Sequence, residues 1–184
     1  MNFYHEYFSS LSTCIRSIEQ DPSTLLNATK LFHETKRRGG KVILVGNGGS
    51  AAMASHVSVD LVKVAGLRAI NFNEADLITC FANDYGYEHW VEKALEFYAD
   101  PHDLIVLISS SGKSSNIING AIKAKQMKLA LITFSGFSAD NPLRKLGDLN
   151  FWAESQAYNI VEMTHHVWLL AIVDKLVADE KEPA

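Results

Sequence analysis

"VILVGNGGSAAMASHVSVD" occupies Val42–Asp60. An apolar, β-branched run leads into GNGGS, and the chain then takes up a helical pattern carrying His56 and Asp60. A strand that breaks on glycines and turns at once into a helix opens a βαβ unit. Its loop lies at the carboxyl end of the strand, where open α/β sheets bind ligands. Bare backbone and a helix N-terminus offer N–H groups and a positive dipole end there. Asn47, Gly48 and Ser50 therefore read as an anion-binding loop, with phosphate the simplest occupant. A tight turn without a ligand is the plain alternative.

Working outward, four runs have strand character: Lys41–Val45, Leu67–Asn71, Asp103–Ser109 and Leu129–Phe134, with a weaker fifth at Asp148–Trp152. Helical patterns fall between them over Ala51–Val64, Glu74–Ala99 (broken near NDYGY), Ser115–Lys125 and Pro142–Leu146. Continuous apolar strands alternating with helices predict a parallel, doubly wound α/β sheet covered on both faces. Residues 2–38 predict a pair of helices divided near DPSTLL, where Asp21 caps and Pro22 opens the second. Tyr158–Asp179 predicts one long terminal helix. Phe3, Tyr7, Leu11, Ile15 and Ile18 form a stripe at helical spacing, expected to serve core or a subunit interface. The whole chain, 1–184, reads as one domain: helices for oligomerisation over 1–38, and α/β core with terminal helix over 39–184.

The second informative loop is SSSGKSS, Ser109–Ser115. It too follows a strong strand and opens a helix. Ser109, Ser110, Ser111 and Ser114 offer a dense set of donors to phosphoryl oxygens, so two such loops on neighbouring strands predict one phosphorylated ligand in one crevice. A Walker A motif fails, because Leu107 stands where that pattern needs glycine. Gly46, Gly48 and Ala51 fit a dinucleotide fingerprint, but the acid expected at the end of the second strand comes late, at Glu74. No nucleotide cofactor is expected.

Composition narrows the classes further. The 184 residues are 47% hydrophobic with a formal net charge of -4, which gives no whole-chain attraction to nucleic acid or anionic lipid. Cys14 and Cys80 form no disulfide framework. The first residues lack the basic and apolar regions of a secretory leader, and the run Val167–Val173 is far short of the ~20 residues that span a bilayer. A cytoplasmic protein with no membrane partner is the expectation.

Two carboxylate–imidazole pairs at helical spacing are the acid–base candidates: His56 with Asp60, and Glu162 with His166. Each alone is an ordinary helix-surface pair worth a few tenths of a kcal/mol. Together, beside a phosphate crevice, they supply either a base and an acid or ligands to a divalent metal.

In VGNGGS, AMASH, ANDYGY, ISSSGKS and VEMTHH the chain resembles the sugar isomerase (SIS) domain family, and within it the phosphoheptose isomerases. The resemblance implies a five-stranded parallel sheet of flavodoxin-like order and a homotetramer with active sites between subunits. It implies that Asn47, Ser50, Ser109, Ser110, Ser111 and Ser114 hold a sugar phosphate, and that Asp84 reaches the substrate. Such enzymes interconvert a ketose phosphate and an aldose through an enediol, often beside zinc.

Two positions depart from the family pattern. Asp60 stands where glutamate is usual, and Leu170 falls where the family has a histidine, with Glu162 at the preceding glutamine position. His166, one turn from both Glu162 and Leu170, is the expected replacement. An alignment shifted by one residue favours His165 instead. The expected site is thus His56, Asp60, Glu162 and His166, either metal-bound (zinc) or metal-free. Asp60 or Glu162 is then the base and His166 the proton donor. The rival is a non-catalytic sugar-phosphate-binding protein, in the manner of the family's relative that binds the replication initiator as a tetramer.

Overall fold

The computed structural model describes residues 2–181. Its centre is a five-stranded sheet in the order β2-β1-β3-β4-β5 with every pairing parallel. The strands are β1 (Val42–Gly46), β2 (Ala69–Asn71), β3 (Leu104–Ser109), β4 (Ala130–Gly136) and β5 (Leu149–Ala153). The helices are α1 (Phe3–Arg16), α2 (Ser23–Arg37), α3 (Gly49–Lys63), α4 (Ala75–Tyr85), α5 (Trp90–Tyr98), α6 (Ser115–Gln126) and α7 (Tyr158–Lys181). This is the doubly wound architecture that the strand–helix alternation predicts.

The apolar strand runs are explained by burial on both faces. Val42 and Leu44 of β1 join a cluster with Phe32, Val57, Leu61 and Trp168, under α1, α2, α3 and α7. Ile43 and Val45, the alternate positions, face Trp90, Leu95 and Ile117 under α5 and α6. Successive side chains of a strand point to opposite faces, so a strand covered on both sides has no polar phase to display.

Boundaries differ from the sequence expectation where turn chemistry intervenes. The second strand is only three residues long, because the chain from Leu67 is still entering the sheet from α3. The long helical pattern after it is split into α4 and α5 at Gly86, whose φ of 90° closes the first helix. Pro142–Leu146 makes only a 3-10 turn, Leu143–Lys145. At the start of α2 Asp21 accepts from the Ser23 backbone N–H at 3.2 Å, but the helix opens at Ser23, with Pro22 in the cap position and not in the first turn. The aromatic stripe of α1 divides. Tyr7, Leu11 and Ile18 pack on the core and the Trp168 indole donates to the Ile15 carbonyl at 2.9 Å, while Phe3 is exposed, as are Tyr4 and Phe8 beside it. No helix among the described residues is long and apolar enough to cross a membrane.

Candidate active site

The sheet order places β1 beside β3, with Gly46 opposite Ile108. The chain leaves these two strands in opposite directions, α3 to one face of the sheet and α6 to the other. Loops after such neighbouring strands diverge and leave a crevice at the carboxyl edge. GNGGS and SSSGKSS stand on its two sides and line a cavity of about 300 Å³.

Asn47, Gly48, Gly49 and Ser50 come from the first loop, Ser109, Ser110, Ser111 and Ser114 from the second. All seven loop residues expected to bind phosphate are therefore brought to one cavity. Ser50, Ser109 and Ser110 are buried, and Ser109 donates its hydroxyl hydrogen to Ser114 Oγ at 3.1 Å. The second loop is wedged in place at Gly112. Its φ is 63°, and a side chain there would meet Asn141 Oδ1 at 2.0 Å. Asn141 is itself buried, donating to the carbonyls of Ser138 and Gly136 and accepting from Arg144 N–H.

Glu162 closes the crevice from α7. Its carboxyl packs directly on Gly49, where a Cβ would lie 2.2 Å from Oε2. Burial raises its pKa above the usual carboxylate range, and a hydrogen bond with the Ser110 side chain offsets part of that rise. Tyr158, one turn earlier on the same helix, lines the same cavity. The sequence reading missed it, although its spacing of four from Glu162 puts it on the same face.

One turn beyond Glu162 lies a cluster of three. His56 Nδ1 and His166 Nε2 are 2.9 Å apart, with the rings edge to face, and His56 Nε2 lies 3.2 Å from Asp60 Oδ2. A hydrogen-bonded chain Asp60–His56–His166 follows. Burial holds the His166 pKa below the usual histidine value, His56 adds to that, and Asp60 opposes it.

Of the four residues expected to form the reacting site, His56, Asp60 and His166 touch; Glu162 stands apart in the crevice. Zinc bound by two imidazoles at ~2.0–2.1 Å and a tetrahedral angle would hold their nitrogens roughly 3.3 Å apart. The 2.9 Å contact is a hydrogen bond instead. Among the described residues no group of three or more His, Cys, Asp or Glu side chains is placed to hold a metal. As arranged, then, these residues form a hydrogen-bonded chain, and their spacing does not fit the zinc shell.

His165 takes the other direction. It is fully buried, bonds the Ser135 carbonyl through Nε2 at 2.9 Å, and packs edge-on to Phe134. Desolvation lowers its pKa to about 4, so it is a neutral core residue away from the crevice. Asp84 lies on the last turn of α4, bonded by Asn83 Nδ2 at 2.9 Å, and does not line its own chain's crevice. Leu170 packs against the core cluster of α7.

The profile of the SIS domain matches residues 6–136, stopping before α7. Over 139 residues the chain is 34% identical to the phosphoheptose isomerase of Roseiflexus sp. (strain RS-1), covering 72% of this chain and 71% of that one. It is 31% identical over 166 residues to the phosphoheptose isomerase of Aliarcobacter butzleri (strain RM4018), covering 87% of each. In three dimensions it is similar to the structure of a phosphoheptose isomerase from Francisella tularensis, with a TM-score of 0.88, 23% identity, and 98% and 100% of the two chains covered.

Proposed function

The chain belongs to the SIS domain family, as a relative of its phosphoheptose isomerases, and from that premise we propose that it is an aldose–ketose isomerase acting on sedoheptulose 7-phosphate. One placement carries this reading: the Glu162 carboxyl shares a cavity with both donor loops, and the His166 relay follows one turn along the same helix. A helical turn advances about 5.4 Å, so a phosphate seated among the serines leaves the sugar chain lying along α7 toward the imidazoles.

The proton transfers then fall to Glu162 and His166. The Glu162 carboxylate removes a proton from C1 of the ketose while His166 donates one to the C2 oxygen, giving the enediol. Return of a proton from the carboxyl to C2, with loss of the proton on the C1 oxygen to the imidazole, completes the aldose. A carboxylate whose pKa is raised by burial is a stronger base than an ordinary one. Asp60, engaged with His56, holds the relay's orientation.

A homotetramer with sites between subunits is part of the proposal. Supporting it, the exposed Val59, Met163 and Val167 flank the imidazole relay, and Phe3, Tyr4 and Phe8 stand exposed on α1. Asp84, outside its own crevice, then serves a neighbouring subunit's site. A cytoplasmic location, without nucleic acid or membrane partners, accords with the net charge of -4.

The second reading rests on Leu170: with the family's histidine position apolar, the protein binds the sugar phosphate as a sensor. Incubation with sedoheptulose 7-phosphate in deuterated water, followed by proton NMR, separates the two. Deuterium entering at C1 or C2 is the expected result. Ligand shifts without any exchange would leave the sensor.

A further inference from the structure

Asn116 stands in the first turn of α6, two residues after Ser114, and is buried. Its amide and that of Asn47, 69 residues earlier, exchange two hydrogen bonds. Asn47 Nδ2 donates to Asn116 Oδ1 at 3.0 Å, and Asn116 Nδ2 donates to Asn47 Oδ1 at 2.9 Å. A third donor, the Tyr87 hydroxyl from the turn between α4 and α5, reaches Asn47 Oδ1 at 3.2 Å.

An amide oxygen has two lone pairs and an amide nitrogen two hydrogens. Both lone pairs of Asn47 are thus occupied, and one of its two hydrogens is. What remains is a single N–H, on a residue that lines the cavity. That matters for an anion. A carbonyl oxygen turned into the crevice would repel phosphoryl oxygens, whereas an N–H attracts them. The pair also joins the roots of α3 and α6, which leave the sheet on opposite faces, and so sets the spacing of the two loops.

We infer that Asn116 is a positioning residue for anion binding: it holds the Asn47 amide with a donor facing the phosphate, and Tyr87 assists it. The inference rests on the phosphate-crevice reading but not on the isomerase reaction.

The test is a double-mutant cycle with inorganic phosphate as probe, followed by phosphorus NMR titration on wild type, Asn116→Ala, Asn47→Ala and the double variant. Asn116→Ala weakens binding by about tenfold. The double variant is no weaker than Asn47→Ala to within about twofold, because Asn116 acts only through Asn47. Multiplying losses in the double variant, or wild-type affinity in Asn116→Ala, overturn the inference. Tyr87→Phe, a change at a half-exposed ring, weakens binding by about threefold and loses that effect when Asn47 is already alanine. It carries the test alone if the Asn116 variant does not fold.

Turnover supplies a readout that loosened structure would not mimic. In Asn116→Ala the KM for sedoheptulose 7-phosphate rises while kcat stays within about twofold; a fall in kcat with unchanged KM contradicts positioning. If the phosphate cycle behaves as stated but no protein turns over the heptulose, the isomerase reading falls and the Asn116 inference stands. A wild type that binds no phosphate overturns both.

Discussion

The phosphate crevice and the imidazole relay lie one helical turn apart on α7, yet they are held by different means. The crevice is made of strand ends, helix starts and buried hydroxyls, each tied to the scaffold: Ser109 to Ser114, Gly112 against Asn141, Asn47 to Asn116. The relay is three side chains on the surfaces of two helices, with His56 half exposed. Gripping an anion needs N–H groups at set positions, which only a particular backbone supplies. Transferring a proton needs an acid and a base within hydrogen-bond reach, and more than one helix position satisfies that. The contrast is the reason for proposing His166, one turn before Leu170, as the acid beside two loops whose geometry is fixed.

The strongest test of this contrast is Glu162→Gln, which keeps the shape of the side chain and removes the base. Turnover should fall by about a thousandfold while phosphate binding is kept or improved. The sign of the pH effect is fixed by the same group. Burial raises the Glu162 pKa, and the base works only when ionised, so wild-type turnover falls as pH drops through a limb above the usual carboxylate range. A limb at ordinary carboxylate pH, or the same turnover in Glu162→Gln, would hand the base role to Asp60.

His166→Ala comes next. The relay loses its terminal donor, and kcat should drop by about a hundredfold with phosphate affinity and thermal stability unchanged, measured by the same titration and by calorimetry. Full activity in that variant would break the assignment of His166 as the acid. The smallest effect on chemistry is expected from Gly112→Ala, on the other side of the comparison. A Cβ at positive φ, pressed on the buried Asn141, should destabilise the fold by about 2–4 kcal/mol and weaken phosphate binding roughly tenfold. Its kcat at saturation should stay near wild type. A variant as stable as wild type would show that the loop is not wedged as described.

Several features are legible in the sequence alone. The β-branched runs around Val42, Leu104 and Ala130 have no polar alternation, so they belong to a sheet buried on both faces. Glycine and serine after two of those strands mark loops at the carboxyl edge of the sheet, and both line the cavity. Asp21 before Pro22 marks a helix start by local hydrogen bonding alone. Each of these depends on neighbours within a few positions in the chain.

Other features needed the tertiary structure. That the two loops share one crevice follows from β3 lying beside β1, which the strand order decides. Asn116 gave no local signal, and Tyr87 none beyond its place in ANDYGY, since their partner Asn47 is 69 and 40 residues away. His165 and His166 are the sharpest case. They are adjacent and chemically identical, but a helix turns about 100° per residue, which aims one ring at the Ser135 carbonyl inside the core and the other at His56. Composition and spacing determined that this chain has two glycine- and serine-rich loops after strands and imidazoles at helical spacing from carboxylates. Which imidazole is free to move a proton was decided by the rotation of α7 against the sheet, because burial in the core leaves His165 neutral and engaged while His166 meets its relay.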